Sequence, residues 1–156
     1  MKYKDIHNHT IYSDGDNTIL DIIERATRSK FIQIGTSDHY EAIQEIERYV
    51  NEVLEYRAEH LGIDILVGVE IKAKTLLGLE LKQIQILDSK LDYLLIEDIE
   101  YNSRVQDALN RLQPILNFMK CKKGWAHIDL ERLGSARDKF LHFIKMYFKD
   151  LKVSMM

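Results

Sequence analysis

Apolar residues in this chain recur in two rhythms, and the alternation between them predicts its elements. Compact runs rich in β-branched residues read as strands: residues 31–36 (Phe-Ile-Gln-Ile-Gly-Thr), residues 63–71 and residues 91–96. The run at 63–71 is apolar almost throughout, as expected of a strand covered on both faces. Between these runs the apolar positions fall three and four apart, the spacing of a helix with one buried face. Ile19, Leu20, Ile22, Ile23 and Ala26 predict a first helix ending near Ser29, with Asn17 as its N-cap. Ile43, Ile46, Val50, Val53, Leu54 and Leu61 predict a long second one. Residues 75–88 are mixed and read as a short helix or loop. Val105, Leu109, Leu112, Leu116 and Met119 mark a helix over about 103–120 that Pro114 should kink or break. Residues 2–8, 124–127 and 151–156 read as further short strands, and Phe140, Phe143, Ile144 and Tyr147 as a helix over 135–150.

Strands alternating with helices imply right-handed crossovers and a mostly parallel sheet. The expected class is therefore α/β, about six mostly parallel strands with outer helices, either open or curling toward a barrel, in one domain spanning 1–156. Ligands of such folds collect at the carboxyl ends of the strands. His7 and His9, Asp38 and His39, Glu70, the acids Glu97, Asp98 and Glu100, and His127 all fall at such ends. The remaining histidines, His60 and His142, fall on predicted helices.

Composition adds bounds. With 156 residues, 46% of them apolar and 30% charged, the chain suits one soluble globular domain with a real core. A net charge of -3 and mixed-sign charges ask for no membrane or nucleic acid partner, and the cluster Lys120, Lys122, Lys123 reads as a solvated helix end. Cys121 is the single cysteine, so no intrachain disulfide forms; with no signal peptide or membrane span in the pattern, the expected compartment is the cytoplasm.

The densest chemistry lies in residues 5–15, Asp-Ile-His-Asn-His-Thr-Ile-Tyr-Ser-Asp-Gly. On a strand, residues two apart share a face, so His7 and His9 would point together. Imidazoles and carboxylates without thiolate suit zinc, manganese or iron(II), and Glu70 could bridge two ions. Paired divalent ions grip a phosphate ester, lower the pKa of a water nucleophile and steady the leaving oxygen, so phosphoester hydrolysis is the natural reaction. Asp38 reads as an orienting group more than a ligand, and Asp129 with Arg132 as an ordinary surface pair that could meet a substrate phosphate.

These runs, namely residues 5–15, Ser37-Asp38-His39, Gly68-Val69-Glu70-Ile71 and Ala126-His127, taken in order, resemble the successive motifs of the PHP (polymerase and histidinol phosphatase) family. The resemblance implies a distorted (β/α)7-type barrel, here incomplete, that holds one to three divalent metal ions and hydrolyses phosphoesters. It implies His7, His9 and Glu70 at one metal, Glu70 and His127 at a second, and Asp14 with His39 at a third. The substrate would be a small phosphorylated metabolite or a nucleotide. Two departures stand out. Where the family usually places a histidine after its fourth strand, this chain has Glu97, Asp98 and Glu100. The family closes its site with an Asp-x-His motif at the end of its last strand, and the sequence reaches Met156 before any such strand; a full eightfold barrel needs at least roughly 200 residues. The alternatives are a metal-dependent phosphoesterase, or a degenerate PHP-like domain that binds metal or a partner chain without turnover. A third alternative is a subunit whose open barrel edge pairs with a second copy or another chain that supplies the last strand.

Overall fold

The computed structural model describes residues 3–102 and 104–147. Among them the elements run β1 (Tyr3–Asp5), α1 (Ile19–Arg28), β2 (Phe31–Thr36), α2 (Ile46–Glu59), β3 (Asp64–Lys72), α3 (Ala73–Gly78), α4 (Leu81–Lys90), β4 (Tyr93–Glu97), α5 (Val105–Phe118), β5 (Lys122–Trp125) and α6 (Arg137–Tyr147). The strands follow chain order in one five-stranded sheet, with helix between each successive pair, which is the topology of an incomplete (β/α) barrel. The described residues thus hold five strands where the sequence pattern predicts about six; the sixth expected strand, 151–156, lies outside them.

The chain divides into two compact units, residues 1–70 with 90–93, and residues 71–89 with 94–156. In the first, β1, β2 and β3 pair in parallel, Asp5 opposite Ile34 and Thr36 opposite Val67. Its core is built from Ile19, Ile23 and Ala26 of α1, Tyr49, Val50 and Val53 of α2, and Ile65, Val67 and Val69 of β3, all buried. The cap of α1 is Thr18 rather than Asn17. Thr18 Oγ1 accepts from Asp21 N at 3.1 Å while Asp21 Oδ2 accepts from Thr18 N at 2.9 Å, a reciprocal pair that Asn17 has no partner to form. Asn17 instead holds the preceding loop, its carbonyl accepting from Ile11 N at 3.0 Å. The register of α2 also leaves two expected core residues outside: Leu54 is 41% exposed, and Leu61, beyond the helix end, 93%.

In the second unit the mixed stretch 75–88 is helical, covered by α3 and α4, which bury Leu76, Ile84 and Leu87. Helix α5 runs through Pro114 without a break, burying Leu109, Leu112 and Leu116. Trp125 at the end of β5 meets Phe140 of α6 edge to face, ring centroids 5.1 Å apart. No described helix is long and apolar enough to cross a membrane.

Candidate metal centre

The first strand is shorter than the polar pattern predicts. Among the described residues strand β1 is an edge strand with one neighbour, its register with β2 shifts between Tyr3 and Lys4, and it ends at Asp5, whose Oδ1 accepts from His7 N at 3.1 Å. His7 and His9 therefore lie in the loop after β1, not on the strand. Pairing resumes once, at Asn8: its carbonyl accepts from Ser37 N at 2.8 Å, and its side-chain amide donates to Gly35 O at 3.1 Å. That anchor faces both flanking rings toward the end of β3.

Beyond β2 the chain runs beside β3 for one more step. Glu70 N donates to Asp38 O at 3.0 Å and Tyr40 N to Glu70 O at 2.8 Å, a parallel bridge that sets His39 beside Glu70. Glu70 is the hub. Its Oε2 lies 2.8 Å from His9 Nε2, 3.2 Å from His7 Nε2 and 3.7 Å from His39 Nδ1. The two Nε2 atoms of His7 and His9 are 3.2 Å apart. The other carboxylate oxygen, Glu70 Oε1, is buried without a hydrogen-bond partner among the described residues. Asp14 closes the cluster from the solvent side, Oδ1 2.7 Å from His9 Nδ1 and Oδ2 3.6 Å from His39 Nε2.

The loop carrying His9 and Asp14 is clamped by Asp38, fully buried. Its Oδ1 accepts from Thr10 N and Ser13 Oγ, both at 2.7 Å, and its Oδ2 from Thr10 Oγ1 at 2.9 Å. Both of its carboxylate oxygens thus hold the 10–13 loop. Gly15 lets the loop fold back under His9: a Cβ there would stand 2.2 Å from the His9 carbonyl oxygen.

Charge is unevenly held in this cluster. Hydrogen bonding to the Glu70 carboxylate outweighs desolvation and raises the His9 imidazole from 6.5 to about 9, with Asp14 adding to the effect. Burial by itself would raise the Glu70 carboxyl, but the hydrogen bonds from His7 and His9 overcome it and hold the group down to about 2. The Asp14 carboxyl is likewise lowered, chiefly by its bond to His9. One point of space is therefore faced by ring nitrogens and a buried anion, a donor set that could hold a cation. The edges of the His7–His9–Glu70 donor triangle, 3.2, 3.2 and 2.8 Å, are close to the roughly 3.4 Å that tetrahedral bonds of about 2.1 Å would set between donors. His9, His39 and Glu70 likewise offer one donor atom each within 4.8 Å of one another.

The remaining candidates belong to the second unit. Glu97 and Glu100 are buried at the end of β4 and in the 3-10 turn that follows; Asp98 between them adopts a left-handed φ of 61° and lies 3.5 Å from Lys72 Nζ. Glu100 Oε1 accepts from Asp129 N at 3.3 Å. Asp129 Oδ1 in turn accepts from Glu131 N and Arg132 N at 3.0 and 3.2 Å, so it caps its own turn, while the Arg132 guanidinium lies 4.1 Å from the Tyr101 ring centroid. His127, just past β5, is exposed with φ 46°. Sequence reasoning missed Thr10, Ser13 and Asn8, whose roles depend on how the backbone turns beyond the strand ends, and it assigned no role to Tyr49 and Tyr93.

The α/β fold thus gathers imidazoles and a buried carboxylate at the ends of parallel strands, a cluster that could hold a divalent cation. Comparison with family profiles identifies it further: the PHP domain matches residues 5–111, and the chain belongs to the PHP domain family, whose members are metal-dependent phosphoesterases. No curated protein matches the chain.

Proposed function

We propose that the protein hydrolyses a phosphate ester of a small metabolite or nucleotide, using divalent cations held by His7, His9 and Glu70 and, beside them, by Asp14 and His39. The observation that carries the reading is the convergence of His7 Nε2, His9 Nε2 and His39 Nδ1 on Glu70 Oε2, with distances of 3.2, 2.8 and 3.7 Å. A structural ion pair needs one imidazole; several aimed at one buried oxygen suit a cation that takes several donors.

The chain's own groups prepare that site. Asp14 accepts from His9 Nδ1, which fixes a proton on that nitrogen and leaves Nε2, the nitrogen that faces Glu70, as the atom a cation would take in place of a proton. Glu70 stays ionised despite its burial and supplies the negative charge that offsets a cation. Asp38 holds the 10–13 loop, and with it His9 and Asp14, against the end of β2. Bound divalent ions would polarise the phosphoryl oxygens and lower the pKa of attacking water. Zinc, manganese and iron(II) all suit this nitrogen and oxygen donor set.

The test is release of p-nitrophenol from p-nitrophenyl phosphate by protein loaded with manganese or zinc, compared with His9→Ala. Turnover lost by at least about 100-fold in the variant, with its far-ultraviolet circular dichroism intact, is the expected result. No turnover by the loaded wild type on this ester or on a panel of nucleotides and sugar phosphates would replace hydrolysis with the reading of a metal-binding module.

A further inference from the structure

Two buried tyrosines lie one layer beneath the donor cluster. Tyr93 and Tyr49 are both 0% exposed. The Tyr93 hydroxyl oxygen stands 2.5 Å from Ile6 O and 2.7 Å from Thr36 O. The Tyr49 hydroxyl stands 2.7 Å from Gly68 O, to which it donates, and 2.7 Å from Thr36 Oγ1. Ile6 precedes His7, Thr36 comes three residues before His39, and Gly68 two before Glu70. The phenols thus touch the last backbone step below each donor segment.

Sheet and ring are cut to each other. A Cβ on Gly35 would stand 2.5 Å from the Tyr93 hydroxyl oxygen, and one on Gly68 only 2.1 Å from the ring carbon that bears it. Because side chains alternate along a strand, Gly68 and Glu70 share a face, and the ring that fills the glycine's space underlies the carboxylate. The hydroxyl also bridges the two neighbouring segments. The paired β1–β2 register ends at Asp5 and Ile34, and Ser37 N to Asn8 O is the next bond. Between them the Ile6 and Thr36 carbonyls both face the Tyr93 hydroxyl, which ties the two segments together. A ring alone would pack this core equally well as phenylalanine; burying a hydroxyl is favourable only where it is hydrogen-bonded, and here its partners are the segments that carry the donors.

We infer that Tyr93 and Tyr49 are positioning residues, whose hydroxyls hold the His7–His9 loop, the His39 segment and the end of β3 at the spacing the donor cluster needs. The inference rests on the metal-centre reading above for its consequence in binding, but it has a metal-free signature of its own. In the apo protein, amide exchange of Ser37 and Glu70 should quicken at least about tenfold in Tyr93→Phe. It should not quicken in Val53→Ala, a cavity-forming change in α2 chosen as the control for general destabilisation. In the second arm, cobalt(II) binding is followed by its visible absorption. Tyr93→Phe and Tyr49→Phe should each weaken binding about 10-fold or more and alter the band shape, as losses of outer partners do, while Val53→Ala leaves both within about twofold. Exchange in Tyr93→Phe no faster than in Val53→Ala overturns the inference, whether or not metal binds. Failure of the wild type to bind cobalt, with the exchange result as expected, overturns the metal-centre reading alone.

Discussion

Stability of the metal-free protein should depend on pH through the His9–Glu70 pair, and the structure gives sign and size. His9 is raised in the folded protein from 6.5 to about 9, so its contribution is full below pH 6.5 and is lost as pH climbs through about 9. Glu70 is lowered from 4.5 to about 2, so its contribution is present above pH 4.5 and is lost as pH falls through about 2. Together they predict a stability plateau between pH 4.5 and 6.5, bounded by a decline on each side. At about 1.4 kcal/mol for each tenfold change, the His9 displacement corresponds to roughly 3 kcal/mol. The Glu70 displacement describes the same contact and is not added to it. The His9 side chain keeps 18% exposure, so we expect about 2 kcal/mol after partial solvent screening. For a chain of this size that is a fall in Tm of about 4–8 °C between pH 6.5 and 9. The assay is urea or thermal unfolding of chelator-treated protein across that range, with Glu70→Gln as the comparison. In the variant the decline should become shallower, because the anion that chiefly raises His9 is gone while Asp14 remains, and the His9 ring signal in proton NMR should titrate at a lower pH than in the wild type. A wild-type curve flat between pH 6.5 and 9, or a Glu70→Gln curve that keeps the decline undiminished, would refute the reasoning.

Two further outcomes follow from neighbouring contacts. Asp14→Asn removes the carboxylate that accepts from His9 Nδ1, so zinc affinity measured by competition with a chromophoric chelator should fall about 10–100-fold with little change in apo stability, Asp14 being 66% exposed. Gly68→Ala puts a methyl group 2.1 Å from the buried Tyr93 ring, and chemical unfolding should show a loss of at least about 1–3 kcal/mol, with a stability equal to wild type arguing against this packing.

Much of the fold was legible because its signals are local. The β2 run was placed residue for residue, and the apolar run at 63–71 matches β3 within one residue at each end, since a strand covered on both faces has to be continuously apolar. Reading fared worse where a competing local interaction decides. Asn17 loses the cap to Thr18 because Asp21 stands where it can return the hydrogen bond. Leu54 and Leu61 satisfy the helical period yet face solvent. The donor types were visible and the geometry was not. His7 and His9 look like a strand pair, but an edge strand stopped by Asp5 puts them in a loop, where the Asn8 anchor, and not strand alternation, turns both rings to Glu70. Asp38 is next to His39 in sequence and could have been a ligand; its two oxygens are taken by Thr10 and Ser13, partners 28 and 25 residues away in sequence.

The central claim is that Glu70 and the imidazoles around it form a cation site, and anomalous diffraction from crystals grown with zinc or manganese tests it most directly. The account predicts a peak at the metal's absorption edge within about 2.0–2.2 Å of His7 Nε2, His9 Nε2 and Glu70 Oε2, with the direct 2.8 Å contact between His9 and Glu70 opened to admit the ion. An edge scan with no peak there, and the His9–Glu70 contact still closed at saturating metal, would contradict it.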